Sequence, residues 1–208
     1  MPMLKGFKVI PDYLSASAQA ELVIELRRIV AQAPFYRPVM PKSGRAFSVE
    51  MTNSGPLGWM SDKAGYRYQA THPVTGEPWP AIPEPVLAAW DELTGYRAPP
   101  ECCLINLYRG EKARMGQHRD ADEEDFDAPV LSLSLGDTAT FRLGSTTRGG
   151  PTKSVTLHSG TALILGGEAR MAYHGISRVM TGTSRLLSGG GRLNLTLRRV
   201  TKPSNTTP

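Results

Sequence analysis

Four histidines, His72, His118, His158 and His174, make up the chain's whole stock of imidazole. In His118-Arg119-Asp120 an imidazole and a carboxylate stand two residues apart, so in an extended segment both side chains point to the same side. A second imidazole from a distant strand would complete a facial set of two histidines and one carboxylate. That is a ligand set for non-haem iron(II), with three positions left for a cosubstrate and O2. Taken alone, His-x-Asp is a weak signal, and a solvated polar loop explains it more simply. His174 follows Ala172-Tyr173 at the edge of an apolar stretch, where a buried, hydrogen-bonded histidine is the ordinary expectation. It still ranks ahead of His158, which closes a strand before Ser159-Gly160, and of His72, which precedes Pro73 in a long loop. A second cluster lies in Arg192-Leu193-Asn194-Leu195-Thr196-Leu197-Arg198, where the strand period puts Arg192, Asn194, Thr196 and Arg198 on one face. A guanidinium grips a carboxylate through two parallel hydrogen bonds, so this face suits an organic diacid. An edge strand with a wet, aggregation-deterring face is the competing reading.

These groups need a scaffold, and 208 residues with 40% hydrophobic and 21% charged side chains suffice for one compact domain. No apolar run approaches a membrane span, and Met1 to Lys8 lacks the apolar stretch of a signal peptide, so a soluble, cytoplasmic protein is expected. The two cysteines, Cys102 and Cys103, are adjacent, which excludes a disulfide scaffold and a zinc finger. Net charge is +5, unevenly spread: residues 118–136 hold one basic and six acidic groups, whereas 137–208 hold ten basic and two acidic ones. A basic C-terminal third makes a polyanion a plausible partner, and the acidic island is odd on that reading. Leu22, Leu26, Ile29, Val30 and Ala33 recur at helical spacing behind Ser15 and Ser17, predicting a helix over roughly 17–33. Glu84 to Leu93 reads as a second helix closed by Gly95. Residues 53–85, rich in Gly and Pro with Trp59, Tyr66, Tyr68 and Trp79 embedded, read as a long ordered loop or a cover with short strands. From about 102 the period is two: Cys103 to Tyr108, Val130 to Leu135, Ala139 to Leu143, Ser154 to Leu157, Thr161 to Leu165 and Leu193 to Val200. Helices followed by many short strands predict an α+β fold, helices backing an antiparallel sandwich or jelly roll. The tail Lys202 to Pro208 is polar and expected to fray.

Several motifs occur in one order: Asn106-Leu107-Tyr108, His118-Arg119-Asp120-Ala121-Asp122-Glu123, Ala128 to Gly136, Gly166-Gly167-Glu168-Ala169-Arg170, Tyr173-His174-Gly175, and Arg192 to Arg198. Together with Met51-Thr52-Asn53, Leu57-Gly58-Trp59 and Pro78-Trp79-Pro80 they resemble the AlkB family of iron(II)- and 2-oxoglutarate-dependent dioxygenases, over about Val49 to Arg199. The resemblance implies a double-stranded β-helix over about 102–200, backed by the N-terminal helices, with a nucleotide-recognition lid over about 45–82 of a single domain. It implies iron(II) held by His118, Asp120 and His174. It also implies 2-oxoglutarate gripped at its far carboxylate by Arg192 with Tyr108 and Asn194, with Arg198 and Asn106 near the iron end.

The implied reaction is oxidative N-demethylation of bases such as 1-methyladenine and 3-methylcytosine in single- or double-stranded DNA, and in RNA as a further substrate, by a monomer consuming O2 and 2-oxoglutarate and releasing formaldehyde, succinate and CO2. A target base must leave its stack to reach a buried iron, so aromatic walls are required. By the same resemblance Trp59 and Tyr66, with Tyr68 beside them, line that pocket, and Asp122 meets the exocyclic amine, favouring cationic bases. Arg148 matches a substrate-contacting arginine, and Lys153, Arg142 and Arg45 are candidates for phosphates. Glu123, Glu124, Asp125 and Asp127 read as a solvated loop. The sequence departs from the family at Leu165, where tryptophan usually precedes Gly-Gly-Glu, and in the loop 144–153. Two other readings stay open: the same cofactor chemistry on a small molecule or protein side chain, and a non-catalytic nucleic-acid-binding module.

Overall fold

A computed structural model of the chain describes residues 4–203. The tail expected to fray lies mostly beyond them, at 204–208. The element order is β1 Phe7–Ile10, α1 Ala16–Gln32, β2 Glu50–Ser54, β3 Gly58–Asp62, β4 Gly65–Gln69, α2 Glu84–Thr94, β5 Cys102–Tyr108, β6 Met115–His118, β7 Val130–Gly136, β8 Thr138–Leu143, β9 Lys153–Leu157, β10 Ala162–Leu165, β11 His174–Met180 and β12 Arg192–Arg198.

Both predicted helices form for the reasons their sequences state. The Ser15 hydroxyl accepts from the Ala18 amide at 3.2 Å and caps α1. The face carrying Leu22, Leu26 and Ile29 is buried. Pro85 occupies the first turn of α2, and Gly95 ends it with φ of 58°, a left-handed conformation that glycine adopts without strain.

The strands build an antiparallel sheet of order β1-β10-β7-β12-β5-β2, a second of order β6-β11-β8-β9, and a separate β3-β4 hairpin. Alternation along the larger sheet makes two apolar layers. Leu193, Leu195 and Leu197 of β12 join Leu131, Leu133 and Leu135 of β7 against Leu22, Leu26, Val86 and Trp90 of the helices. The opposite face supplies Leu104, Val130, Leu163 and Leu165, which pack against Phe141, Leu143, Leu157 and Ile176 of the smaller sheet. Adjacent Cys102 and Cys103 obey the same pleat, one in each layer, and both are free. The expected α+β jelly roll with helices on its back is therefore the fold this chain adopts.

Two expectations need correction. The edge-strand alternative for β12 is wrong: the strand lies between β5 and β7, paired along its length on both sides. Strands β1, β2, β6 and β11 were not anticipated. β11 breaks its alternation at a register shift between Ile176 and Arg178, and its pairing with β6 shifts again between His174 and Ile176, so no period of two survives there. The segment 53–85 holds the β3-β4 hairpin, in keeping with a cover containing short strands.

Leu195 is fully buried on the helix side of β12. Leu195→Ala is expected to lower the unfolding free energy by about 2–5 kcal/mol, read as a lower denaturant midpoint at an unchanged slope.

Candidate metal centre and its cavity

His118 ends β6, His174 begins β11, and the antiparallel register sets the two residues opposite each other. Gly175 makes this possible: a Cβ there would lie 2.5 Å from the Met115 carbonyl oxygen and 2.7 Å from that of Gly116, so any other residue would push β6 away. The imidazole rings are 4.6 Å apart between centroids. Asp120, in the turn after β6, puts Oδ1 at 3.9 Å from His118 Nε2 and Oδ2 at 3.7 Å from His174 Nε2. One ligand atom from each residue lies within 4.8 Å of the others. His118 Nδ1 is 2.9 Å from the Gly116 carbonyl oxygen and His174 Nδ1 3.0 Å from that of Ala172. A carbonyl oxygen only accepts, so each Nδ1 carries the proton and each Nε2 offers its lone pair to the cluster.

Charge states favour a cation. Burial, reinforced by the neighbouring His118 ring, pushes the His174 pKa down to about 4, so this buried ring is neutral at pH 7. Burial opposes ionisation of Asp120, but the Arg198 guanidinium first, then His174 and His118, hold its carboxyl well below the ordinary range. Arg198 Nη2 donates to Asp120 Oδ1 at 2.8 Å, leaving Oδ2 with no hydrogen-bond partner among the described residues.

The polar face of β12 continues from this point. Arg198, Thr196, Asn194 and Arg192 all line one cavity of about 780 Å³ together with His118, Asp120 and His174. Thr196 Oγ1 donates to Asn194 Oδ1 at 2.9 Å, and Asn194 Nδ2 donates to Ser132 Oγ at 2.7 Å. Arg192 is fully buried, and its Nη2 donates to Ser134 Oγ at 2.9 Å. Its Nε and Nη1 have no partner among the described residues. Burial lowers its pKa only to about 10, so it keeps its charge at neutral pH. Tyr108, its direct cross-strand partner, is pushed up to about 12 and stays a neutral donor. Asn106, opposite Asn194, turns an unpaired Oδ1 toward the same space. A buried cation with two unmet donors fits an anionic group, and the three-residue cluster fits a divalent cation.

The mouth is aromatic and charged. Trp59 of β3 and Tyr66 of β4 stack at 5.6 Å, and Trp59 Nε1 donates to Asp122 Oδ2 at 2.9 Å. Both rings, Asp122 and Arg148 line the cavity. Tyr68 does not. It stands beside Trp59 on the same face of the hairpin and gives its hydroxyl to the Glu123 carboxylate.

That bond exposes the main error of the sequence reading, the solvated acidic loop. Glu124 and Asp127 are exposed, but Glu123 and Asp125 are buried. Glu123 Oε2 accepts from Arg170 Nη2 at 3.1 Å, and its Oε1 lies 3.5 Å from Arg198 Nε, an ion-pair contact outside hydrogen-bond geometry. Arg170 also donates to the Asp120 carbonyl oxygen at 2.8 Å. Asp125 accepts from the Tyr96 hydroxyl at 2.7 Å. Two of the four carboxylates read as solvated are thus counter-charge or hydrogen-bond partners of groups arriving from elsewhere in the chain. Arg170, Ser132 and Ser134 were not identified from the sequence. The Ser-Leu-Ser alternation of β7 was visible, but only pairing with β12 gives it a purpose. His72 is buried too, its Nε2 2.8 Å from the Pro34 carbonyl oxygen, and His158 is exposed; neither lines the cavity.

A model of the 2OG-Fe(II) oxygenase superfamily matches residues 6–198. The chain belongs to that superfamily. It is 50% identical over 202 residues, 96% of this chain and 90% of the relative, to the alpha-ketoglutarate-dependent dioxygenase AlkB homolog of Caulobacter vibrioides strain NA1000 / CB15N. It is 36% identical to the alpha-ketoglutarate-dependent dioxygenase AlkB of Escherichia coli K12, over 97% of this chain and 93% of that one. The solved structure of OsALKBH1 superimposes with a TM-score of 0.78 at 29% identity, covering 96% of this chain and 99% of that one. A Pseudomonas putida prolyl-4-hydroxylase, at 18% identity and a TM-score of 0.54, shares the fold alone. The protein is therefore an AlkB-family, Fe(II)- and 2-oxoglutarate-dependent dioxygenase.

The His174 shift has a direct consequence for stability. The unfolded chain takes up this proton near pH 6.5, whereas the fold refuses it until about pH 4. Stability from this group is full above about pH 6.5 and falls as the pH drops toward 4, because the unfolded state then binds more protons. Metal-free protein is expected to lose roughly 3 kcal/mol over that window, and His174→Asn to lose that much less. Guanidinium midpoints at several pH values test this, and equal pH dependence in the two proteins would contradict it.

Proposed function

We propose that this enzyme removes N-methyl groups from cationic nucleobases in DNA, 1-methyladenine and 3-methylcytosine being the type substrates, and accepts RNA as well. The observation that carries the reading is the placing of the stacked Trp59-Tyr66 pair and Asp122 at the mouth of the same cavity that holds the His118-Asp120-His174 cluster and the under-bonded Arg192. Relatives named as alpha-ketoglutarate-dependent dioxygenase AlkB, DNA N(6)-methyladenine demethylase and tRNA demethylase support the substrate class.

His118, Asp120 and His174 would hold Fe(II) through two Nε2 atoms and a carboxylate oxygen. Arg192 would take the far carboxylate of 2-oxoglutarate on Nε and Nη1, with Tyr108 and Asn194 beside it, while Arg198 and Asn106 face the metal end. Iron and 2-oxoglutarate supply oxidation by O2: the N-methyl carbon gains a hydroxyl group as 2-oxoglutarate becomes succinate and CO2, and the hydroxymethyl group then leaves the base as formaldehyde.

The remaining residues orient and select. A flipped base slides against Trp59, whose indole is fixed in plane by the bond to Asp122, and the β3-β4 hairpin acts as the recognition lid. Asp122 meets the positive charge of a methylated base, while a neutral base gains nothing from it and still loses its water. Arg148 lies where a flanking phosphate would enter. The apolar walls, Phe141, Leu163 and Leu165 among them, keep bulk water from the reacting carbon. Tyr68 serves this site indirectly, tying the lid to Glu123. The proposal includes a monomeric enzyme working in the cytoplasm.

Incubation of a single-stranded oligonucleotide containing 1-methyladenine with Fe(II), ascorbate and 2-oxoglutarate is expected to release formaldehyde and remove one methylene mass only when 2-oxoglutarate is present. Asp120→Ala is expected to abolish this, and retained turnover would sink the ligand assignment. Asp122→Asn is expected to lower kcat/KM for cationic bases about tenfold, or about 1.4 kcal/mol, with basal succinate formation unchanged. An equal loss in basal succinate formation would show damage to the metal site instead.

A further inference from the structure

The outer face of the smaller sheet carries no negative charge from its own strands. None of its four strands contains Asp or Glu, and neither does the 144–152 connection between β8 and β9. Phe141 and Leu143 turn inward, so Arg142 turns outward, between Gly175 on β11 and Ser154 on β9. Arg178 stands outward opposite Thr140, which in turn faces Thr156. Arg142, Arg178, Ser154, Thr156 and Gln117 are all exposed. Among the described residues seven arginines pair with carboxylates, and Arg142 and Arg178 are not among them, nor are Arg119 and Arg148 beside the cavity. The surface also connects to the site: Gln117 of β6 lines the cavity mouth, and so do Arg119 and Arg148 on the flanking loops.

We propose that this face, centred on Arg142 and Arg178, carries the phosphate backbone of the nucleic-acid strand beyond the nucleotide held in the cavity. The proposal rests on the demethylase reading and extends it from the methylated base to its flanks. Guanidinium groups with no competing carboxylate, set among hydroxyl and amide donors on a rigid sheet, bind phosphate oxygens without selecting sequence. Among the candidates for phosphates, Arg142 thus acts here with Arg178, a residue that charge and spacing alone did not single out.

The test compares wild type with Arg142→Ala/Arg178→Ala, two exposed changes outside the cavity, and with a charge-matched control, Lys8→Ala/Arg27→Ala. Binding of a 20-nucleotide single strand is measured by fluorescence anisotropy across salt concentrations, beside turnover of a methylated trinucleotide. Thermal melting confirms that all three proteins are folded. Losing two phosphate contacts should reduce the slope of log K against log salt by about 1.4 and weaken 20-mer binding at 50 mM salt by roughly tenfold. Trinucleotide turnover and the control's binding should match wild type. If the double variant binds the 20-mer like wild type, or the control loses as much, the surface assignment is overturned while trinucleotide turnover upholds the demethylase. If wild type does not demethylate even the trinucleotide, the demethylase reading fails and this assignment falls with it.

Discussion

Two guanidinium groups on one central strand, Arg192 and Arg198, are buried in the space between two sheets, and the rest of the molecule is arranged around that expense. A buried charge is tolerated only if it is paired and hydrogen-bonded. The two arginines meet this demand in opposite ways. Arg198 is surrounded by protein carboxylates, Asp120 and Glu123, with Arg170 sharing Glu123 from the other side. Arg192 has the Ser134 hydroxyl and a tyrosine hydroxyl nearby, and no carboxylate of the chain pairs with it among the described residues. One end of β12 therefore has its charge balanced by the chain's own carboxylates and orients Asp120, although Nε and Nη1 of Arg198 make no hydrogen bond among the described residues. The other end keeps a charge that no carboxylate of the described residues meets, which is why we propose that a cosubstrate carboxylate completes it.

This division underlies the proposal that metal and cosubstrate share one cavity. Arg198 holds Asp120 ionised and oriented, and Asp120 stands beside two imidazoles that β6 and β11 bring together across Gly175. The polar side chains between the arginines, Asn194 and Thr196, are fixed by each other and by Ser132, so this face is preorganised rather than assembled on binding. The leucines on the opposite face of the strand pack against both helices, which anchors the strand that carries the charges.

How much of this was legible depended on the range of each interaction. Alternation along 192–198 and 130–135 is local, so strand and facing were readable, and only the central position of β12 required the fold. The capped, periodic α1 was readable to within a residue at each end. β6 and β11 were not, because their register shifts remove the period that marks a strand. The acidic loop failed for a different reason. Glu123 takes its meaning from Tyr68, Arg170 and Arg198, which lie 55, 47 and 75 residues away, and nothing in the spacing of 118–127 distinguishes it from exposed Glu124. His118, Asp120 and His174 were likewise ambiguous one by one, and the ordered motifs of the family gave the weight that His-x-Asp lacks.

The central claim, that Arg192 is charged, buried and reserved for an external carboxylate, is tested most directly by equilibrium binding. Calorimetry on Mn(II)-loaded protein would compare 2-oxoglutarate with 2-oxobutanoate, which keeps the keto-acid end and lacks the far carboxylate. Wild type should prefer 2-oxoglutarate by at least about thirtyfold, and Arg192→Met should reduce that preference to near unity with 2-oxobutanoate binding retained. A preference that survives in Arg192→Met would contradict the account.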